Sequence, residues 1–264
     1  MAISAITADL LKLKERSRII DALLLRDLMT RFGHGNIGFL WLVGEPLLLS
    51  VGVIAVWSLI YGAQKHGVSI AAFVLTGYSM LSLWRHMVNR SIRCFGSSSE
   101  LLFHRAIRPF DIFVARQIVE IFGVLIAFFF AYIPFVLLGY AEPIHDHLIF
   151  MGAWFLMSFF TFGLGLIVAS LTELSDTIER LVQPVMYLTI PISGAFYLVA
   201  WLPKAAQDIV LLSPMVHASE MLRAGYFGPQ IPTYWDAGYL FLCGLLSNAV
   251  GFAMVVRATR NIET

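Results

Sequence analysis

The ionisable side chains that fall within apolar stretches are the residues with which this chain could do chemistry. Glu45 lies in the first long apolar stretch and Glu120 in a later one, and a carboxylate placed in hydrocarbon is costly enough that it usually serves a function. Glu120 follows Arg116 by four residues, which predicts an ion pair within one helix. Glu45 has no such local partner, and the sequence leaves open whether it pairs with Arg26 or Arg31 to form a cytoplasmic mouth.

No set of residues predicts catalysis. The histidines are scattered, and the stretch 145–147, His-Asp-His, is more typical of a solvated loop than of a metal site. The glycines between Gly33 and Gly38 match G-x-G-x-x-G, but no strand precedes them, so we reject a dinucleotide site. The chain also lacks a G-x-x-x-x-G-K-[ST] loop for ATP phosphates. We therefore expect no enzyme activity, no metal and no cofactor bound by this chain.

Composition indicates which elements must position these residues. Of the 264 residues, 59% are apolar and only 13% are charged. This apolar content is greater than one soluble core needs. The sequence therefore predicts an all-α integral membrane protein. Apolar stretches near the length needed to cross hydrocarbon predict six transmembrane helices, at about 37–61, 68–88, 110–140, 148–171, 181–200 and 234–256.

Two details qualify these spans. The fifth contains Pro184 and Pro191, so we expect it to be kinked or irregular. In the fourth, Gly163 and Gly165 predict close contact with another helix.

Basic residues predict the orientation of the chain. Residues 1–36 and 85–116 each hold six Lys and Arg, and fifteen of the eighteen fall on the side that includes both termini. Because such residues concentrate in cytoplasmic loops, we expect a multi-pass protein with both termini in the cytoplasm. The 1–36 segment predicts an amphipathic helix on the membrane surface, a transmembrane domain covers 37–257, and 258–264 form a cytoplasmic tail.

The charged stretch between spans two and three predicts a short helix at 97–109. Ser97 and Glu100 form a capping box at its start and Pro109 ends it. Polar and apolar residues separate onto two faces, which is typical of a helix on a membrane surface or in a partner's groove. The alternative is a solvated loop between membrane helices.

Residues 201–232, here called the hairpin, are too polar and too rich in proline to span a membrane. Two stretches in it show apolar residues at helical spacing, which predicts two short interfacial or re-entrant helices. On the second, Glu220 and Arg223 are three residues apart and could pair.

Three blocks then resemble one family. They are ALLLRDLMTRFGHGNIGFLWLVGEP at 22–46, NRSIRCFGSSSELLFHRAIRPFDIFVARQIVE at 89–120, and LLSPMVHASEMLRAGYFGP at 211–229. In order and topology they resemble the type-2 ABC exporter permeases, and among these the membrane subunits that export capsular polysaccharide. The chain departs slightly at Gly33–Gly38, which is less basic than in the family, and at Ser213, where Asn often precedes the proline.

The resemblance implies a half-transporter in the bacterial inner membrane that pairs with a second copy of itself. It implies two cytoplasmic ABC ATPase subunits that hold ATP and Mg, a lipid-linked polysaccharide as substrate, and periplasmic and outer-membrane capsule export proteins as further partners, without nucleic acid. Alternatives are a permease for O-antigen, teichoic acid, or a drug or lipid. An ATP-independent channel or carrier would need ion sites in broken helices, and the one broken span has no acidic residue.

The family position also implies roles for particular residues. Residues 97–109, here called the coupling segment, would enter a cleft of the ATPase through Glu100, Leu102, Phe103, His104, Arg105, Ile107, Arg108 and Pro109. The acidic residues Glu173, Asp176 and Glu179, with Arg180, form either a second contact or a solvated loop.

Aromatic residues could stack on sugar rings along a channel, although each could equally be a packing or interface residue. As a group these are Trp41, Trp57, Tyr61, Tyr78, Trp84, Phe196 and Tyr197. The hairpin would form a periplasmic gate between two copies, or alternatively dock a periplasmic partner. The gate residues are Trp201, Leu202, Pro203, Ile209, Pro214, Met215 and Met221.

Overall fold

The computed structural model describes residues 2–32, 37–61, 64–65, 68–96 and 107–262, and most side chains in these ranges. The described elements confirm an all-α protein. Its helices are α1 (Ala2–Phe32), α2 (Ile37–Tyr61), α3 (Ile70–Ser91), α4 (Pro109–Leu137), α5 (His147–Leu174), α6 (Asp176–Thr189), α7 (Lys204–Val210), α8 (Pro214–Phe227) and α9 (Ala237–Ile262). Two short strands, β1 (Gln64–Lys65) and β2 (Val68–Ser69), pair antiparallel between α2 and α3.

Three of the described helices are long and apolar enough to cross a membrane. They are α4, α5 and the Ala237–Arg257 part of α9, and α2 contains a shorter apolar run at Ser50–Ile60. The hairpin holds two short helices, α7 and α8, where the sequence predicted them.

The fifth predicted span differs from its predicted bounds of 181–200. The helix begins at Asp176 and ends at Thr189; 14 residues rise only about 21 Å, which is less than the thickness of the hydrocarbon. Asp176 and Glu179 favour the earlier start because acidic groups stabilise a helix N-terminus. Pro191 disfavours continuation, and the chain proceeds through short 3₁₀ turns at Ile190–Ile192 and Val199–Trp201.

Helices α5 and α9 pack at close range through glycines. A Cβ added at Gly163 would lie 2.4 Å from the backbone nitrogen of Asn248, and one added at Gly251 would lie 2.6 Å from the Cβ of Leu166. Gly165 similarly accommodates Ser91 and Phe113 from α3 and α4. The predicted close contacts at Gly163 and Gly165 are therefore confirmed.

The buried apolar residues form two clusters. The larger one joins α3, α4, α5 and α8 along the bundle. The smaller one lies at the end of α3 and joins Leu23 of α1, Phe95, Phe113 of α4, Leu166 of α5 and Val255 of α9. It holds the backbone that leads into the coupling segment against four helices.

Candidate functional site

The coupling segment is described only at its two ends. Residues 97–106, which include Glu100, Leu102, Phe103, His104 and Arg105, lie outside the described residues. At the far end Ile107 is half-buried and Arg108 is exposed. Pro109 is the first residue of α4, a position where its missing N–H costs nothing.

The entry to the coupling segment is fixed by three carboxylates. One oxygen of Glu173, at the end of α5, accepts hydrogen bonds from the amides of Phe95 (3.0 Å) and Gly96 (2.7 Å). Arg93, whose φ of 46° is unusual for a residue with a side chain, pairs with Asp176 and Glu179 of α6. These acidic residues, for which the sequence analysis left open a second ATPase contact or a solvated loop, therefore bond to other residues of the same chain.

The exit of the coupling segment is fixed by a buried carboxylate. Asp111, 2% exposed, accepts from the Arg108 amide at 3.1 Å and so caps α4. Arg16 of α1 donates to both of its oxygens at 2.6 and 2.7 Å. Both bonds come from one guanidinium nitrogen, Nη1, and this charge-assisted contact joins α1 to the first turn of α4.

Glu120 has partners that the sequence did not identify. Its carboxylate lies 3.2 Å from Nε of Arg90 and 3.2 Å from Nδ1 of His86, both on α3. Arg90 also donates to Asp27 of α1 at 2.9 Å. The spacing of four residues predicted Arg116 as a partner, and His86 and Arg90 are additional to that prediction. One feature of the sequence could have suggested these partners. His86 and Arg90 lie one turn apart on α3, and no acidic residue lies between them.

The predicted cytoplasmic mouth is only partly visible. Arg26 is exposed on α1, whereas the side chains of Arg31 and Glu45 lie outside the described residues. Among the residues that the structure describes, no group of acidic, histidine or cysteine side chains could hold a metal ion.

Arg223 is the most deeply buried cation in the described part of the chain and organises the irregular backbone after α6. Its guanidinium is fully buried and donates to the carbonyl oxygens of Gly194 (2.7 Å), Ala195 (2.6 Å) and Tyr197 (2.6 Å). It also lies 4.1 Å above the ring of Phe73, a favourable cation–π position.

Glu220 completes this arrangement from one turn earlier on α8. The two side chains approach to 4.0 Å with neither exposed to solvent, so the predicted pairing is confirmed. Glu220 also accepts from the amides of Val199 (3.1 Å) and Tyr234 (2.9 Å). Because no helix satisfies these backbone groups, the buried pair supplies their hydrogen bonds.

Two glycines permit this close packing. A Cβ at Gly77 of α3 would lie 2.0 Å from the carbonyl oxygen of Ala195, and Gly194 has a φ of 74°, which favours glycine.

The predicted channel aromatics separate into three groups. Trp57, Phe196 and the gate residue Trp201 come together around Phe73, with ring centroids 5.1 to 6.5 Å apart. Trp84 is buried in the core, Tyr78 lines a small pocket of about 20 Å³ beside Ser79, and Tyr197 is half-buried. The side chains of Trp41 and Tyr61 lie outside the described residues. Phe73 was missed because no sequence pattern separates it from other apolar residues of α3.

The predicted gate residues also occupy different environments. Met215 and Met221 on α8 are buried in the chain's own core. Ile209 on α7 is 65% exposed, Pro203 is exposed and Leu202 and Pro214 are half-buried. Every described residue of α7 is at least partly exposed, whereas most of α8 is buried.

Comparison with known proteins gives consistent matches along the chain. Residues 19–227 match the family described as ABC-2 type transporter. The chain is 38% identical over 246 residues, 93% of each chain, to the capsule polysaccharide export inner-membrane protein CtrC of Neisseria meningitidis. It is 38% identical over 94% of each chain to the capsule polysaccharide export inner-membrane protein BexB of Haemophilus influenzae. It is 23% identical over 239 residues to the polysialic acid transport protein KpsM of Escherichia coli, covering 89% of this chain and 91% of KpsM.

Proposed function

This chain belongs to the ABC-2 type transporter family, and from that premise we propose that it is the membrane permease subunit of a capsular polysaccharide exporter. It conducts a lipid-linked polysaccharide across the bacterial inner membrane, and separate cytoplasmic subunits hydrolyse the ATP that drives transport. The observation that carries the proposal is the 38% identity to capsule export proteins of two organisms over nearly the whole of each chain.

Depletion of this chain in a capsulated strain tests the proposal. The expected result is loss of surface capsule together with accumulation of the same polymer inside the cell, restored by the intact gene. Surface capsule that persists after depletion would contradict it. Retention of a different surface glycan inside the cell would assign the permease to that polymer.

The second part of the proposal is a six-span topology with both termini in the cytoplasm, in which α6 together with the irregular residues after it, and not one helix, makes the fifth crossing. The distribution of basic residues supports it, as do the lengths of α4, α5 and α9. Cysteine introduced at Lys65, Glu142 or Lys204 should react with an impermeant thiol reagent in intact cells, whereas cysteine at Ser98 or Asp176 should not. Labelling at Ser98 would reverse the orientation.

The third part is that residues 97–109 couple the permease to its ATPase. The bonds of Glu173 and Asp111 support this role because they fix the two ends of the segment to the helices of the permease. A segment fixed in this way can transmit a movement of the ATPase to those helices. Phe103→Asp with Ile107→Asp should abolish copurification of the ATPase, since charges would enter an apolar contact. Leu137→Asp with Leu138→Asp, at the other end of α4, is the matched control. Equal ATPase recovery in both double variants would refute the coupling role.

The fourth part is that two copies form a path for the polymer between them, closed by the hairpin. The cluster of Trp57, Phe196 and Trp201 supports a path lined by rings, and exposed Ile209 on α7 supports a gate there. Cysteines placed along 202–212 should form disulfides between the two copies. If none do, yet export fails when the segment is mutated, docking of a periplasmic partner is the better account.

A further inference from the structure

His217, near the start of α8, hydrogen-bonds through both ring nitrogens to the ends of two other helices. Its Nε2 lies 2.8 Å from the carbonyl oxygen of Leu211, the residue that ends α7. Its Nδ1 accepts from the amide of Asp236 at 3.0 Å, immediately before α9. The residue is only 8% exposed, so water competes poorly for either bond.

These two bonds require one protonation state of the ring. A carbonyl oxygen can only accept, so Nε2 must carry the proton, and a backbone N–H can only donate, so Nδ1 must be bare. The neutral ring with its proton on Nε2 satisfies both neighbours. A second proton on Nδ1 would point at the Asp236 amide and break that bond.

The ring therefore acts as a cap at both helix ends. The carboxylate of Asp236 accepts from the amide of Tyr239 at 3.0 Å, and its carbonyl accepts from Leu240 at 3.2 Å, so Asp236 is the N-cap of α9. His217 accepts from the N-cap amide, which is the reciprocal half of a capping box supplied from another helix. At α7 it donates to a terminal carbonyl that the helix itself leaves unsatisfied.

Few other bonds hold the end of α7. The hydroxyl of Tyr239 donates to the carbonyl of Leu212 at 2.8 Å, and the described residues of α7 itself include no buried side chain. Among the residues that the structure describes, the capping bond of His217 is thus one of two side-chain hydrogen bonds that join this end of α7 to the rest of the bundle.

Two carboxylates lie on the elements around the ring. Asp236 accepts from the amide of Tyr239, and Glu220, one turn along α8, accepts from two amides. The N-terminus of α9 lies against Nδ1. Along α5 there is no ionisable residue between 148 and 172, and along α3 between 70 and 84 there is only a tyrosine. The remaining groups are Tyr239 and its hydrogen-bonded neighbour Cys243 on α9 and, on exposed α7, one lysine and one aspartate.

We propose that His217 is the positioning residue of the hairpin: the neutral ring holds α7 to the start of α9, and protonation of the ring releases α7. The consequence for transport rests on the proposed role of the hairpin as the exit gate. The double cap itself does not depend on which polymer is carried.

Hydrogen exchange on the full chain with its ATPase in detergent tests the proposal. Peptides covering 203–213 and 233–240 are followed at pH 7.5 and pH 5.0, a range that spans the titration of histidine side chains, with rates corrected for the pH dependence of chemical exchange. The intact chain is compared with His217→Gln, which keeps a donor and an acceptor but does not titrate, and with His217→Ala. Tyr239→Phe is the control, because it removes the other bond to the end of α7 without removing a group that titrates in this range.

In the intact chain, corrected exchange in both peptides should be roughly five- to tenfold faster at pH 5.0, the size expected for loss of a helix cap. His217→Gln should remove this pH dependence, His217→Ala should exchange fast at both pH values, and Tyr239→Phe should speed exchange of 203–213 while leaving its pH dependence in place. Unchanged protection of the intact chain at pH 5.0, or a pH dependence that survives in His217→Gln, would overturn the proposal. Exchange does not report transport, so loss of the pH effect leaves the exporter assignment intact, and a failure to export capsule leaves the double cap intact.

Discussion

Arg223→Met should destabilise the folded chain by about 3–5 kcal/mol, the cost of removing one partner of a buried ion pair. Arg223 is fully buried and donates to three carbonyl oxygens of the irregular stretch after α6. Methionine fills a similar volume, and its thioether can contact Phe73 where the guanidinium lies over the ring. It leaves those carbonyls and the carboxylate of Glu220 without the cation, so the loss is electrostatic rather than a packing defect.

A double-variant cycle separates the charge from the hydrogen bonds. Glu220→Gln with Arg223→Met removes both charges, so no buried carboxylate is left uncompensated. The free energy of unfolding that the double variant loses should be about 1–3 kcal/mol smaller than the sum of the losses in the two single variants. Arg223→Lys keeps the charge but not the planar guanidinium that reaches three carbonyls. Its free energy of unfolding should therefore lie between those of the intact chain and of Arg223→Met.

Reversible unfolding in mixed micelles, followed by tryptophan fluorescence, measures these differences. A loss below about 1 kcal/mol for Arg223→Met, typical of a surface substitution, would refute the view that the pair holds the backbone together. Additivity of Glu220→Gln and Arg223→Met would show that the two side chains act independently despite their 4.0 Å separation.

Three further predictions follow from packing, burial and capping. Gly163→Ala should lower the free energy of unfolding by about 1–3 kcal/mol in the same assay, because its Cβ would lie 2.4 Å from a backbone nitrogen of α9. Gly52→Ala is the control, since a Cβ there meets nothing within 4 Å. Equal losses in the two variants would contradict the close contact. Burial raises the pKa of Cys94 to about 11, so at pH 7.5 the thiolate is scarce and alkylation by N-ethylmaleimide should be slow and rise about tenfold per pH unit up to pH 10; fast labelling at neutral pH would contradict its burial. Glu173→Gln should weaken the hydrogen bonds at the entry to the coupling segment and increase trypsin cleavage within 97–106 several-fold, whereas unchanged cleavage would mean that the carboxylate does not fix this entry.

The sequence was most informative where one local property decides the structure. Runs of apolar residues predicted helices close to α2, α4, α5 and α9, because length and hydropathy are properties of a single segment. The prolines of the hairpin predicted two short helices in place of a span. The helix α6 was misplaced because acidic residues at its start, which read as a loop, instead stabilise its first turn.

Partners distant in the chain could not be read in the same way. The sequence predicted a pair between Glu120 and Arg116 within one helix, but it did not predict that His86 and Arg90 approach Glu120 from α3. It identified the Glu220–Arg223 pair by spacing, but not the carbonyl oxygens near Gly194 that the arginine binds. Backbone groups look identical in every sequence, and only the path of the chain decides which are left without a partner.

The difference between α7 and α8 limits how the hairpin can act as a gate. Helix α8 packs against α5, α3 and α9, and its Glu220–Arg223 pair supplies hydrogen bonds to the backbone on both sides of the hairpin. Moving α8 alone would expose both charges to an apolar interior or leave them unpaired, which is strongly unfavourable. Helix α7 has no buried residue in its described length, and side-chain bonds from His217 and Tyr239 hold its end. If the hairpin is the proposed gate between two copies, opening at this face requires either that α7 moves about the residues that flank it, or that the two copies separate while each α8 stays in its own core.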